Sequence, residues 1–286
     1  MRVRAGLRPA RLRAFSSKDR DGDGMLERFT LIAGPCVLED DDLNLTVARV
    51  LSALSEELGL PVVFKGSFDK ANRARLDSLR GPGLAQGLDR LATVKAETGL
   101  HVLTDIHEAA QATPVAEVAD VIQIPAFLCR QTDLLVAAGG TGKPVNVKKG
   151  QWMAPEEMSG AVDKLLRSGA PEVTVTERGT VHGYGDLVVD MRSFGRIRAA
   201  TGAKVLFDGT HSVQRAGRAA GSSGGDPEHT PALVRAATAA GCDGLYLETH
   251  PEPARAPSDG SNMLRLDELP ALLREALAIR TALGDA

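Results

Sequence analysis

The chain has 286 residues, of which 43% are hydrophobic and 25% are charged, and its formal net charge is −3. This composition is typical of a globular protein, and the length suits one α/β barrel of roughly 250 residues. The slight negative charge gives no electrostatic reason to expect nucleic acid or an anionic membrane as a partner. No apolar run approaches the about 20 residues of a membrane span. Three widely spaced cysteines, Cys36, Cys129 and Cys242, argue against a disulfide framework and for a reducing, cytoplasmic location.

The first 24 residues differ in composition from the rest of the chain. Residues 1–18 carry six basic side chains and no acidic one, which superficially resembles an organelle transit peptide. We favour the alternative of an upstream start codon, because the residues after Met25 lead directly into the first strand-like run. We therefore expect residues 1–24 to be a disordered or non-native extension, and residues 25–286 to form one catalytic domain.

From residue 29 onward, short apolar runs rich in β-branched residues alternate with helical patterns, which indicates repeated βα units and a parallel sheet. The spacing of Leu43, Val47, Leu51, Leu54 and Leu58, for example, predicts an amphipathic helix. The strand-like runs number eight and span residues 29–36, 61–67, 101–108, 120–127, 144–150, 172–179, 204–212 and 244–251. Eight strands, each followed by a helix, predict an α/β fold of the single (β/α)8 TIM barrel type, with catalytic groups at the carboxyl ends of the strands.

Every predicted strand ends in titratable or strongly polar side chains, including Asp105 after the third strand. The cationic members are Lys65, Lys70, Lys148 and Arg178, with Gln123 between them. Any one of them alone would usually be a solvated surface charge, but four at four strand ends of one barrel favour a binding site. Ammonium and guanidinium groups that converge suit a compact polyanion, most simply one with a phosphate and a carboxylate.

A second group of strand-end residues has the side-chain types that bind transition metals. It consists of Cys36, His211, Glu248 and Asp259. The first, seventh and eighth strands are neighbours in a barrel, so these groups can meet at one divalent ion, and the mixed set suits Zn²⁺, Fe²⁺ or Mn²⁺. An inert buried thiol is the commoner fate of an isolated cysteine. A nucleophilic Cys36 assisted by His211 would leave two carboxylates without a role. From the residues alone, the metal site and the core thiol stay open alternatives.

The segment 212–230 is rich in glycine and serine and follows the seventh predicted strand. Long loops over a barrel mouth are often lids, so we expect this segment to be mobile and to order over substrate.

Motifs along residues 29–270 resemble, in the same order, those of the 3-deoxy-D-manno-octulosonate 8-phosphate synthase family. They are LIAGPCVLE, FKGSFDKANR, RGPGL, TDIHE, ADVIQIPAFLCRQTDLL, VNVKKGQ, TERGT, GYGDLVVDMRS, FDGTHSVQ, GCDGLYLETHPEP and SDGSNMLRL. Each motif is weak alone, but the whole ordered set is very specific. The resemblance implies a transferase that condenses phosphoenolpyruvate with D-arabinose 5-phosphate and releases phosphate, in lipopolysaccharide precursor synthesis.

The resemblance also implies roles for individual residues. It implies phosphoenolpyruvate contacts for Lys65, Ser67, Lys70, Gln123, Lys148 and Arg178, and catalytic roles for Lys65, Lys70, Asp105, Lys148 and His211. Asn72 and Arg73 would contact the sugar phosphate, and Arg73 would reach the neighbouring active site of a homotetramer. The family has a metal-free class with Asn in the GPC position and a metal-dependent class with Cys there. Cys36 therefore implies one divalent metal per subunit, bound by Cys36, His211, Glu248 and Asp259.

Some positions differ from the family pattern. Ala74 and Arg75 stand where hydroxyl residues are usual, His182 stands where Phe is usual, and Arg265 stands where Pro is usual. These differences concern the aldehyde partner, so two alternatives are kept. One is the related synthase that uses erythrose 4-phosphate, which carries K-P-R-T-S where this chain has K-A-N-R. The other is a catalytically silent barrel that acts as a binding protein.

Overall fold

The computed structural model describes Leu26 and residues 28–73, 75–219 and 222–284. The expected extension at residues 1–24 and the substitution at Ala74 lie outside the described residues. Within the described ranges, no helix is both long enough and apolar enough to cross a lipid bilayer.

The structure is built from strands and helices that alternate along the chain. The strands are β1 Thr30–Gly34, β2 Val62–Lys65, β3 His101–Asp105, β4 Val121–Ile124, β5 Val145–Lys148, β6 Val173–Glu177, β7 Thr180–His182, β8 Asp186–Val188, β9 Lys204–Asp208, β10 Gln214–Ala219, β11 Ser222–Gly225, β12 Gly244–His250 and β13 Leu264–Arg265. The helices are α1 Asp41–Leu58, α2 Leu84–Thr98, α3 Ala112–Val118, α4 Thr132–Gly139, α5 Ser159–Arg167, α6 Ser193–Thr201, α7 Thr230–Ala239 and α8 Leu269–Ala282.

Eight strands form a closed parallel barrel, which confirms the predicted (β/α)8 fold. Their order is β1-β2-β3-β4-β5-β6-β9-β12, and β12 pairs with β1 to close the ring. All eight predicted strands are present, and each of them ends earlier than predicted. Lys65, Asp105 and Lys148 are the last residues of their strands, so the site residues lie at the carboxyl ends of the strands or in the loops that follow.

Helix α1 shows how the sequence sets the limits of an element. Asp40 caps its start, accepting a hydrogen bond from the backbone N–H of Leu43 at 2.9 Å. Gly59 ends it in a left-handed conformation with φ of 61°, which glycine adopts without steric cost. The predicted apolar face, including Val47 and Leu51, is buried against the barrel.

The barrel interior is filled by an apolar cluster that contains no helix residue. It comprises Leu26, Ile32, Val63, Leu103, Val121, Leu206 and Tyr246. In the same interior, a polar network links Gln123 to Asn146, and Asn146 to Thr174 and Thr176. The interior is therefore a packed core and not a pore.

Two antiparallel hairpins were not predicted. The first pairs β7 with β8 directly after β6. The second pairs β10 with β11, in the segment expected to be a mobile lid. The second hairpin is tied down at its base, where Asp226 N donates to Val213 O and Arg215 contacts Asp226 at 2.7 Å. Its closure over substrate stays a prediction.

Candidate active site at the barrel mouth

Three of the four expected metal ligands lie close together at the mouth. Atoms of Cys36, Glu248 and Asp259 all lie within 4.8 Å of one another. The chain approaches this point through Gly34, where a Cβ would collide with the backbone of Lys65. Asp259 has a φ of 50°, a conformation that is uncommon outside glycine. A backbone held in this conformation at one site is typical of a functional position.

His211, the fourth expected ligand, faces the same group. Its Nε2 lies 3.6 Å from Glu248 Oε2 and 3.9 Å from Asp259 Oδ2. Its Nδ1 donates to Asp208 Oδ2 at 2.8 Å. Because a carboxylate can only accept, this bond fixes the proton on Nδ1 and leaves the lone pair of Nε2 free for a cation.

The arrangement of Glu248 fits a bound cation. Lys65 Nζ and Tyr246 Oη both donate to Glu248 Oε1, at 2.5 and 3.1 Å. Glu248 Oε2 is buried and has no hydrogen-bond partner among the described residues. This oxygen, the free nitrogen of His211 and the sulfur of Cys36 are thus the donor set that a divalent transition metal prefers.

The pKa values at this site are consistent with a cationic guest. Burial raises the pKa of the Cys36 thiol, and the Glu248 charge raises it further. Burial alone would raise the pKa of Glu248, but the charge of Lys65 beside it holds it well below its ordinary value. A metal ion supplies the positive charge that converts such a thiol into a thiolate ligand.

The cationic residues surround the same mouth. Lys65 has 1% of its surface exposed, and its ammonium also donates to Cys36 O at 2.7 Å, so it joins the two groups of site residues. Lys70 donates to Ser67 Oγ at 3.0 Å, and Lys148 donates to Asp208 Oδ2 at 2.8 Å. Arg178 is buried and donates to Gln214 Oε1 at 2.9 Å. Burial lowers the pKa of both Lys148 and Arg178.

Asp105 forms a buried pair with His107, whose Nε2 lies 3.0 Å from Asp105 Oδ2. Burial alone would raise the pKa of Asp105, but the His107 hydrogen bond and the nearby Lys70 hold it below its ordinary value. Its Oδ1 has no hydrogen-bond partner within the described ranges. Asp105 therefore presents one free carboxylate oxygen.

The expected sugar-phosphate residues lie at the edge of the mouth. Asn72 is exposed. Arg73 is half-buried and donates through Nε to Leu79 O at 3.0 Å, while its Nη2 has no partner among the described residues. Arg75 is exposed and forms a two-pronged ion pair with Asp77. These residues are therefore more exposed than the buried cations Lys65, Lys148 and Arg178.

Several residues of the site were not among the predicted site residues. Asp208 orients His211, Ser258 Oγ lies 3.1 Å from Cys36 Sγ, and Gln214 links Arg178 to Asp259. Asp208 is a charged residue at the end of a strand, so its position carries a usable signal. Tyr246 lies within an apolar run and gave no signal beyond that of a core residue.

Comparisons with known proteins agree with this geometry. The family model described as the DAHP synthetase I family matches residues 15–282. The chain is 55% identical over 252 residues to a 2-dehydro-3-deoxyphosphooctonate aldolase of Nitratidesulfovibrio vulgaris, covering 88% of this chain and 92% of that protein. It is 53% identical over 263 residues to a protein of the same name from Cyanothece sp., covering 92% and 95% of the two chains. It is 52% identical over 264 residues to a protein of that name from Synechococcus sp., and the match covers 92% of each chain. The match over nearly the whole length shows that the chain belongs to the DAHP synthetase I family.

Proposed function

We propose that the protein condenses phosphoenolpyruvate with D-arabinose 5-phosphate and water to give 3-deoxy-D-manno-octulosonate 8-phosphate and phosphate. The observation that carries the proposal is that Lys65 connects the expected metal ligands with the other cationic residues at the barrel mouth. It bonds to Glu248 and to the backbone of Cys36, and it lies beside the other cations. A polyanion site next to a metal-type site suits an anionic enol substrate and an aldehyde. The named relatives support the same reaction.

In this proposal the buried cations bind phosphoenolpyruvate. Lys70, Lys148 and Arg178 neutralise its phosphate and carboxylate. Ser67 and Gln123 add neutral hydrogen bonds, and Lys65 adds positive charge near Cys36 and Glu248. Arg178 supports the assignment, because its Nε is buried without a hydrogen-bond partner in the described chain. An anionic ligand would provide that partner.

The reaction forms a carbon–carbon bond and then releases phosphate. C3 of phosphoenolpyruvate attacks the aldehyde carbon, positive charge develops at C2, water adds there, and the resulting hemiketal phosphate loses phosphate. The fixed cations hold the substrate charges through these steps without reorganising, which is an electrostatic preorganisation effect. Asp105, with its free Oδ1, is suited to orient the water.

One divalent ion, Zn²⁺, Fe²⁺ or Mn²⁺, would be held by Cys36, His211, Glu248 and Asp259. When bound, such an ion orients or polarises an oxygen of water or of the aldehyde. The residues behind these ligands keep them in place, since Asp208 fixes the His211 ring and Ser258 contacts the Cys36 sulfur.

The proposal includes a homotetramer in which Arg73 reaches the active site of a neighbouring subunit. Its support is the loop that follows Arg73, where Leu76 is fully exposed and Leu79 is 70% exposed. Burying large exposed apolar side chains of a loop against another subunit is energetically favourable. The unpartnered Nη2 of Arg73 is then available to a phosphate.

An assay with two aldose phosphates tests the proposed reaction. Phosphate release from phosphoenolpyruvate should require an aldose phosphate, and arabinose 5-phosphate should give a higher kcat/KM than erythrose 4-phosphate. Phosphoenolpyruvate alone is the control. Equal or better turnover with the four-carbon sugar would overturn the substrate assignment. Phosphoenolpyruvate binding without turnover would support the binding-protein alternative.

The Arg75→Ala variant tests how this chain replaces the hydroxyl missing at Ala74. The exposed pair with Asp77 holds Arg75 weakly, so the guanidinium is free to exchange its partner for a sugar phosphate. The KM for arabinose 5-phosphate should rise about three- to tenfold, while the KM for phosphoenolpyruvate stays nearly constant. Arg274→Ala is a matched control, because Arg274 in α8 also forms an exposed ion pair, with Glu57 in α1. An unchanged aldose KM in Arg75→Ala would show that Arg75 does not contact substrate.

A further inference from the structure

Tyr246 lies at the boundary between the apolar interior of the barrel and the active site. It sits in the middle of β12, has 1% of its surface exposed and packs with Ile32 in the interior cluster. Alternation along the strand places Glu248 on the same side, one step nearer to the mouth. The tyrosine therefore supports the site from below.

The hydroxyl group of Tyr246 contacts Glu248, one of the four expected metal ligands. It donates to Glu248 Oε1 at 3.1 Å, the same oxygen that accepts from Lys65 at 2.5 Å. With both donors on Oε1, the other oxygen is left without a partner in the described residues and faces His211 Nε2 at 3.6 Å. The two donors thus fix which oxygen of Glu248 is presented to the mouth.

The ring of Tyr246 contacts two of the buried cations of the site. The ammonium of Lys148 lies 3.6 Å from the ring centroid, within the range of a cation–π contact. Lys65 lies over the same ring at 5.8 Å. Lys148 is held on its other side by Asp208 at 2.8 Å. Ring and carboxylate together limit where this ammonium can lie.

We propose that Tyr246 is a positioning residue with two separable parts, of which the hydroxyl orients Glu248 for the metal and the ring orients Lys148 for the anionic substrate. This inference rests on the proposed function, because it assigns two positioning roles to one residue beneath that same site. A residue that only fills the core would not divide its effects between two ligands.

Two variants separate the parts. Tyr246→Phe keeps the ring and removes the hydroxyl, and Tyr246→Met removes both while keeping an apolar side chain that adapts to the space. Tyr184→Phe is the matched control, since the Tyr184 side chain is fully exposed. Metal affinity is measured by titrating metal-free protein with Co²⁺ against a chromophoric chelator. Phosphoenolpyruvate affinity is measured by calorimetry, and thermal unfolding monitors the fold.

Tyr246→Phe should weaken Co²⁺ binding about tenfold, as loss of a group behind a ligand does, and leave phosphoenolpyruvate affinity within about twofold, since the ring is kept. Tyr246→Met should weaken Co²⁺ binding similarly and weaken phosphoenolpyruvate binding about 3- to 30-fold. Unchanged Co²⁺ binding in Tyr246→Phe, or equal phosphoenolpyruvate affinities in the two variants, would overturn the inference alone. Wild-type protein that binds neither probe would overturn the proposed site together with it.

Discussion

Cys36→Asn is expected to retain measurable activity that a chelator does not remove, whereas Cys36→Ala should lose metal binding and nearly all activity. The difference follows from the neighbours of the sulfur, which are Ser258 Oγ at 3.1 Å and Asp259 Oδ2 at 3.2 Å. An asparagine amide at this position can accept from the Ser258 hydroxyl and donate to Asp259. An alanine can do neither, so Ser258 Oγ and Asp259 Oδ2 would lose the partner that Cys36 gives them in the wild-type protein.

The measurement is phosphate release with and without chelator, followed by addition of Mn²⁺, Fe²⁺ or Zn²⁺. In the wild-type protein, Cys36 and the three other expected ligands would hold an ion that the reaction requires. Chelation should therefore abolish activity, and added metal should restore it. Metal affinity of Cys36→Ala should fall at least about tenfold. Cys242→Ala is the matched control, since Cys242 is also a buried free thiol but lies outside the site. Full metal-stimulated turnover in both Cys36 variants would show that Cys36 is a core thiol.

The convergence of Cys36, Glu248 and Asp259 could be predicted because barrel closure makes β1 and β12 neighbours. The same reasoning predicted all eight barrel strands, since buried parallel strands read as continuous apolar runs. Patterns of this kind report which residues share a face or an end of an element. They do not report which of several partners a side chain chooses.

Tyr246, Asp208 and the two hairpins illustrate that limit. Tyr246 lies in an apolar run, and only the packed barrel shows Lys148 against its ring and Glu248 above its hydroxyl. The φ of 50° at Asp259 lies in the loop after β12, and neither apolar periodicity nor the position of strand ends reports the backbone conformation of a loop. The β10–β11 hairpin forms in a segment whose glycines and serines read as irregular loop, because backbone pairing does not need a periodic apolar pattern.

Lys149 is a further case in which position along a strand decides the role. Lys149 directly follows Lys148, the last residue of β5, and because side chains alternate along a strand it points away from the barrel interior. It is fully buried, and its ammonium lies 3.2–3.5 Å from oxygens of Gly150, Met153, Gly179, Thr180 and Glu177. Gly150 and Met153 follow β5, whereas the other three residues lie at the end of β6 or directly after it. Lys149 thereby joins the loop that follows Lys148 to the segment after β6 that carries Arg178.

Lys149→Met is therefore expected to lower the free energy of unfolding by about 3–5 kcal/mol, the cost of breaking a buried ion pair by removing one partner. Glu177 would remain buried, with Oε1 bonded to Gly179 N at 2.6 Å and Oε2 without a hydrogen-bond partner in the part of the chain described. Lys149→Met combined with Glu177→Gln should lose less, because no unpaired buried charge is left. Urea unfolding of the variants measures the difference.

Lys95→Met is the matched control for this change, because Lys95 pairs with Asp120 at 2.6 Å but is 42% exposed. Its loss should cost about 1 kcal/mol or less, as for exposed ion pairs. Lys149→Met should also raise the KM for phosphoenolpyruvate, since the loops behind Lys148 and Arg178 lose their common anchor, whereas Lys95→Met should not. If Lys149→Met were no less stable than Lys95→Met, the buried ammonium would not be the group that joins these loops.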